Sequence, residues 1–217
     1  MLIATLITEL RKEINRLDVM GFDELSAARI TAITKNMISR LLKSNKKAYI
    51  EIAKEATEEA SEDIKELTGI AVKPLKTDEA FIAAILAAYN PTTGYVYENE
   101  ADRKRARLAE ALIAAVLVGL RANYHKELQK FANLWHTQTK QYTITVVDAT
   151  RIETFRKNGI RRVRWETQKD EKVCAECGAR DGKIFDIDKL PEKHYGCRCW
   201  LMPVLEKTKG NNEKENE

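Results

Sequence analysis

Apolar residues recur at three- and four-residue steps along most of the chain, the spacing that gathers them on one face of an α-helix. The first such stripe covers residues 2–17 and is expected to stop at Gly21. Asp23 is placed to cap a second helix, which has a weak point at residues 44–45. Helical spacing then continues to Gly69, a suitable residue just after a helix end. The N-terminal third is therefore predicted to be helical.

The middle of the chain predicts one short helix and one long one. Asp78 is placed to cap a helix over residues 79–89, and a turn-rich loop follows over 90–94. From about residue 100 to 142 there is no proline, and no break stronger than Gly119 interrupts the apolar stripe. This stretch predicts a single helix of roughly 60 Å at 1.5 Å per residue.

The spacing of apolar residues changes in the last third of the chain. A short helix capped by Asp148 is predicted to end at Gly159. Residues 163–167 then alternate between apolar and polar side chains, which predicts a β-strand. A second strand is predicted over 183–187, after the turn that Asp181 and the following glycine favour. The two strands together predict a β-hairpin.

All four cysteines fall within a segment of twenty-six residues near the C-terminus. Cys174 and Cys177 form a C-x-x-C pair, and after nineteen intervening residues come Cys197 and Cys199, with His194 three residues before Cys197. Two thiolate pairs with this separation are typical of structural zinc, because each pair reaches one ion from a tight turn. The sequence therefore predicts a structural zinc site.

Three other interpretations of the cysteines are disulfides, buried apolar thiols and a redox dithiol. Disulfides need an oxidising compartment, and the first nine residues lack the charged region, apolar core and cleavage site of a secretory signal. A redox C-x-x-C lies between a strand and a helix of a βαβ unit, whereas Gly178, Gly182 and Pro191 indicate turns here. Zinc is the favoured interpretation.

Five candidate ligands compete for the four places of a tetrahedral site. Cys197 and Cys199 are two residues apart, so in a strand their thiols point to opposite faces, and both bind one ion only where the backbone turns. The glycine before Cys197 permits such a turn. Either Cys174, Cys177 and His194 bind with one late cysteine, or both late cysteines bind and one of the other three stands aside.

These patterns predict an α+β fold with a mostly α-helical body of long helices and a small C-terminal, zinc-stapled β-hairpin module. The β unit has too little core to fold alone, so the metal is expected to supply folding free energy. We expect residues 1–147 to form the helical body, 148–205 the zinc-binding module and 206–217 a disordered tail.

The distribution of charge predicts a nucleic-acid-binding surface in one region. The net charge of +4 is small, but basic residues are concentrated between Arg151 and Arg164, where Glu153 is the single acid. The longest apolar run, residues 111–120, is about half of a membrane span, so no membrane contact is expected. The candidate nucleic-acid-binding residues are Arg156, Lys157, Arg161, Arg162 and Arg164.

A set of C-terminal motifs resembles the signature of the phage head-morphogenesis family, the Mu F-like minor head proteins of tailed phages. The resemblance is dense over residues 148–204 and does not extend to the first seventy residues. The motifs are Trp165-Glu-Thr-x-x-Asp170, Cys174-x-x-Cys177, Asp181-Gly182-Lys183-x-Phe185, Pro191-x-x-His194 and Cys197-Arg198-Cys199, closing on Pro203-Val204.

The resemblance implies a minor structural protein that joins the prohead, associates with the portal protein and with capsid or scaffold subunits, and affects assembly or DNA passage. It implies a place in the virion, in the head interior or at the portal vertex, and in the host cytoplasm during assembly. Variation among relatives at the position of Cys174 implies Cys177, His194, Cys197 and Cys199 as the ligands.

We therefore expect a non-enzymatic assembly protein with a structural zinc ion, no catalytic residue, no small-molecule substrate and non-specific contact with DNA phosphates. The alternative is a zinc-dependent nuclease or other nucleic-acid hydrolase. Such an enzyme needs an open zinc position and a general base, whereas four or five strong ligands are available here. A sequence-specific zinc-finger regulator ranks lower, because no recognition helix follows the second cysteine pair.

Overall fold

The computed structural model describes residues 2–18 and 25–205. In those ranges the helices are α1 (Leu2–Asp18), α2 (Ala27–Thr68), α3 (Glu79–Ala87), α4 (Tyr97–Leu117), α5 (Arg121–Lys157) and α6 (Ala175–Gly178), and the strands are β1 (Arg162–Glu166), β2 (Ile184–Asp186) and β3 (Trp200–Val204). The predicted fold class is confirmed, since long helices dominate and a small antiparallel sheet follows near the C-terminus.

The chain divides into two compact units. The helical unit consists of Met1–Lys54, Lys76–Val147 and His194–Gly196, and the sheet unit consists of Glu55–Leu75, Asp148–Lys193 and Cys197–Glu217. Helices α2 and α5 therefore contribute residues to both units. None of the described helices combines the length and the apolar character that a membrane span requires.

The helical unit has two buried clusters. In the larger one, residues from α1, α2, α4 and α5 pack together, and the rings of Phe131 and Trp135 stack with centroids 5.7 Å apart. In the smaller one, Tyr97 meets Tyr142 edge to face at 4.5 Å. Asn45 lies beside this second cluster and its amide donates to the Tyr97 hydroxyl at 2.8 Å. That bond lies where a weak point was predicted, and α2 continues through it unbroken.

The prediction of one helix over residues 100–142 is wrong. The chain turns after Leu117, and α5 starts a new helix at Arg121. Gly119 has a φ of +67°, its N–H donates to the Val116 carbonyl, and the N–H of Leu120 donates to the Ala115 carbonyl. This pair of bonds is a Schellman motif, which needs the left-handed conformation that glycine adopts without strain.

The separate helix predicted to start at Asp148 is also wrong, because α5 passes through that position without a break and ends at Lys157. Its predicted stop at Gly159 is confirmed by a φ of +78° and a second Schellman pair of bonds. The cap at Asp78 is likewise confirmed, since its carboxylate accepts from the Phe81 N–H at 3.1 Å. The predicted stop at Gly21 and cap at Asp23 lie outside the described residues.

The sheet has the order β2-β1-β3 with both pairings antiparallel. The β1–β2 hairpin agrees with the prediction, whereas β3 was not predicted as a strand. Val163, Trp165 and Leu201 alternate onto the inner face and join the buried cluster of the sheet unit. Polar and basic residues of β1, including Arg162 and Arg164, lie on the outer face.

The free edge of β3 is largely occupied. The N–H and carbonyl of Trp165 bond toward the hairpin side, to Lys183 and Gly182, so the opposed Leu201 directs its backbone groups away from β1. Arg151 donates to the Leu201 carbonyl at 3.2 Å. Pro203, two residues on, has no N–H to present at the same edge.

Candidate metal centre

The first cysteine pair lies at the start of α6, a single helical turn. Cys174 is the N-cap residue, and its sulfur accepts a hydrogen bond from the Cys177 N–H at 3.4 Å. This arrangement places the Cys174 thiol at the exposed end of the turn and turns the Cys177 thiol inward, where it is buried. A C-x-x-C spacing over one helical turn therefore brings two sulfurs to the same side of the backbone.

The late cysteines meet Cys177 in the buried cluster of the sheet unit. The sulfurs of Cys177, Cys197 and Cys199 all lie within 4.8 Å of one another, and those of Cys177 and Cys197 are 3.7 Å apart. Two sulfurs bound to one tetrahedral zinc at about 2.3 Å are separated by about 3.8 Å. Gly196 has a φ of +71°, so the backbone turn required for Cys197 and Cys199 is present. The three thiols fit a shared zinc ion.

Two further candidate ligands lie near Cys177. The ligand atoms of Cys174, Cys177 and His194 also lie within 4.8 Å of one another. The Nδ1 of His194 is 2.9 Å from the Tyr195 carbonyl oxygen, which can only accept, so in the neutral tautomer that fits this contact the lone pair is on Nε2. Both exposed residues, Cys174 and His194, are thus suited to complete the coordination that three buried thiols begin.

Burial and hydrogen bonding shift the pKa values of these thiols in opposite directions. Desolvation raises the pKa of Cys177 well above its usual value and also raises the pKa of Cys199. The N–H of Cys177 lowers the pKa of Cys174, because it donates to that sulfur. Without a metal, the Cys177 and Cys199 thiols therefore keep their protons, and metal binding must release them. Zinc affinity is expected to rise with pH for this reason.

Lys193 and Asp148 support the second cysteine pair, and sequence reasoning assigned them no such role. The Lys193 ammonium donates to the Cys199 carbonyl at 2.6 Å and to the Asp148 carboxylate at 2.9 Å. It also lies 5.6 Å from the centroid of the Trp165 ring. Asp148 is strongly desolvated, which raises its pKa, while the Lys193 charge opposes that shift. In the sequence, the signal for this supporting role is the position of Lys193, one residue before the candidate ligand His194.

The remaining signature residues build the frame around the cysteines. The Asp181 carboxylate accepts from both the N–H and the hydroxyl of Thr167, at 2.9 and 3.0 Å. Asp170 accepts two bonds from the Arg198 guanidinium, at 2.7 and 2.6 Å. This second pair ties the segment before the first cysteines to the residue between the last two. The motifs that resemble the head-morphogenesis signature are therefore residues that hold the sheet unit together.

Of the five predicted nucleic-acid-binding residues, three form ion pairs with described acids and two do not. Arg156 pairs with Asp188 and Glu153, and Lys157 also reaches Glu153. Arg164 pairs with a neighbouring glutamate on the same strand. Arg161 and Arg162 are exposed and form no ion pair within the described sheet unit. The predicted patch therefore presents two available guanidinium groups rather than five free cations.

Residues 100–202 match the family model described as Phage Mu protein F like protein. This stretch of the chain belongs to the phage Mu protein F-like family. The match runs from the first turns of α4 into β3 and includes the four cysteines and His194. The Mu F-like region therefore contains the candidate metal centre and leaves out α1, α2 and α3. No curated protein and no solved structure matches the chain significantly.

Proposed function

We propose that this Mu F-like protein is a minor head protein of a tailed phage that acts in prohead assembly at the portal vertex. The match of residues 100–202 to the Mu F-like family carries this proposal. Membership of a head-morphogenesis family supports a structural role and capsid-assembly partners. The protein would enter the virion from the host cytoplasm as the head assembles.

Zinc in this proposal is structural. Three buried thiols at mutual distances that suit a tetrahedron leave one place, and two suitable ligands stand beside it. A site filled by four protein ligands has no open position for a reacting water. The nearby carboxylates also have other partners: Asp181 binds Thr167, Asp170 binds Arg198, and Asp186 accepts the Asp188 N–H.

Cobalt substitution distinguishes the two candidate fourth ligands. Replacing Cys174 by Ser removes one of them, and replacing His194 by Asn removes the other. A Cys₃His site loses its characteristic cobalt spectrum only in the histidine variant, whereas a Cys₄ site changes only in the Cys174 variant. One zinc per chain is expected in protein purified without chelator. Folded, reduced protein without metal would contradict the zinc proposal.

The turn between α4 and α5 offers a surface for contact with portal or capsid subunits. Leu117, Val118 and Leu120 are 79%, 64% and 50% exposed, and a cluster of exposed large apolar side chains marks an interaction site. Replacing all three by Ser should abolish co-purification with the portal protein of the same phage without changing zinc content. If the wild-type protein does not associate with portal or capsid subunits, the assembly role fails.

Contact with DNA phosphates through Arg161 and Arg162 is a further part of the proposal. Both side chains are exposed at the start of β1 and are not neutralised by a described acid. Such contacts read no base sequence and weaken as salt rises. Replacing both by Glu should reduce the salt dependence of DNA binding, and an unchanged slope would place the phosphate contact elsewhere.

A further inference from the structure

Helix α2 has its charges separated along its length. Residues 27–50 contain six basic residues and no acidic one, whereas residues 51–68 contain seven acidic and two basic residues. The basic half belongs to the helical unit. This separation is visible in the printed sequence, yet only the structure shows which of the basic side chains face solvent.

Four lysines of the basic half occupy one side of the helix. Lys35, Lys43 and Lys47 are exposed and lie on a row of four-residue steps, and Lys46 lies beside them. At 100° per residue the four fall within about 120° of arc. The opposite side of the same helix is buried in the larger apolar cluster. These four residues, called the lysine ridge, therefore point away from the core.

Neighbouring acids neutralise only part of the ridge. Lys46 pairs with Glu98 at 2.7 Å. Asp102 is bound by Arg105 at 2.7 Å, which is the main reason that its pKa is lowered, and the charge of Lys35 lowers that pKa further. Lys43 and Lys47 have no ion-pair partner among the described residues. They line an open groove of about 570 Å³ in which Glu79 and Glu98 are the acidic side chains. The ridge keeps a net positive charge.

The geometry of the ridge points to a nucleic-acid backbone as its partner. We propose that the lysine ridge binds the phosphates of duplex DNA without reading base sequence. Lysine is a point-charge phosphate ligand, and Lys43 and Lys47 are about 6 Å apart along the helix axis. Protein–protein interfaces are instead depleted in lysine and enriched in Tyr, Trp and Arg, none of which belongs to the ridge.

The acidic half of α2 gives the proposed contact a boundary. Exposed Glu51, in the same unit, follows directly after the ridge and repels a phosphate backbone. DNA is therefore expected to contact the helical unit over the basic half only. This surface lies outside the Mu F-like match and depends on neither the zinc site nor Arg161 and Arg162, so its failure and theirs are separable.

The test compares two double charge reversals of equal size in the reduced, zinc-loaded full chain. Binding to a 30-base-pair duplex is followed by fluorescence anisotropy between 50 and 200 mM salt. Lys43→Glu with Lys47→Glu should weaken binding at least tenfold at low salt and make the log–log salt slope less negative by about 2, since each phosphate contact contributes about 0.9. Lys43→Arg with Lys47→Arg should preserve both quantities.

Arg121→Glu with Lys126→Glu is the matched control, because both side chains are exposed, neither belongs to a proposed DNA surface, and the net charge changes by the same amount. A larger effect of the lysine reversal supports the ridge as a DNA surface. Equal effects would reduce the ridge to a part of the overall charge and would overturn the proposal, as would no duplex binding by the wild-type protein at 50 mM salt. Preferential binding of a poly-glutamate peptide over the duplex would overturn it in favour of an acidic protein partner.

Discussion

Each of the two units is stabilised internally by a different kind of side chain. The largest buried cluster of the helical unit contains only aliphatic and aromatic residues and one methionine, whereas three of the eleven buried residues in the cluster of the sheet unit are cysteines. The sheet unit adds charged contacts around that cluster, such as Arg151 with Asp63 and Lys193 with Asp148. We therefore expect apolar burial to dominate the stability of the first unit, and the stability of the second to depend more on the proposed metal ligation and on satisfied polar bonds.

Removing the late cysteines is expected to have the largest effect. In Cys197→Ser with Cys199→Ser, zinc binding is lost, and structural zinc supplies on the order of 10 kcal/mol of apparent folding free energy. Residues 158–205 should become accessible to protease while most of the far-UV helical signal remains. Mass spectrometry of the digest and zinc content measure both effects. Loss of all helical signal together would show that the two units do not differ in this way.

The reciprocal change targets the helical unit. Trp135→Ala removes a fully buried ring that stacks on Phe131, and such truncations cost about 3–5 kcal/mol. Chemical denaturation should show the loss while the zinc content of the folded protein stays at the wild-type value. Trp135→Phe is the control and should recover most of the stability. A fall in zinc affinity as large as that of a cysteine variant would contradict the contrast between the units.

Removing a polar contact of the sheet unit is expected to destabilise the protein less than the cysteine variant or Trp135→Ala. Asp181→Ala leaves the N–H and hydroxyl of buried Thr167 without their acceptor, a cost of about 2 kcal/mol. Asp181→Asn keeps one acceptor oxygen and should lose about half as much. Thermal unfolding of the zinc-loaded protein compares the two variants. Equal stability of the alanine variant and the wild type would show that water replaces the carboxylate at no cost.

The smallest effect is expected at the turn that divides the two longest helices of the Mu F-like region. Gly119→Ala must hold a φ of +67° that disfavours a side chain, although nothing lies within 4 Å of the new Cβ. The expected destabilisation is therefore about 1 kcal/mol and comes from backbone strain alone. Gly119→Asn should be milder, since asparagine tolerates this conformation better. A stabilised alanine variant would mean that α4 and α5 can join into one helix.

Sequence reasoning identified the candidate ligands because their spacing is itself the constraint. Cys174 and Cys177 need only one helical turn to come together, and a glycine before Cys197 allows the second turn. Periodicity could not reveal the break at Gly119, because the apolar stripe continues on both sides of it and a single glycine costs a helix only about 1 kcal/mol. The same stripe concealed the continuity of α5 through Asp148, where capping chemistry suggested a start.

Strand β3 was missed because Pro203 argues against a strand in a sequence. The structure places this proline opposite Val163 in the row whose backbone groups point away from β1, so no ladder bond is lost. The position of Asp148 beside Lys193 could not be predicted either, since forty-five residues separate them and neither follows a local pattern. Long-range polar pairs of this kind depend on the completed fold.

The occupied edge of β3 bears on how the sheets of neighbouring molecules can meet. An open strand edge recruits strands from neighbouring chains and starts aggregation. Here the guanidinium of Arg151 covers the Leu201 carbonyl, the Lys193 ammonium covers the Cys199 carbonyl, and Pro203 offers no donor. The β3 edge of one molecule is therefore a poor template for a strand of another.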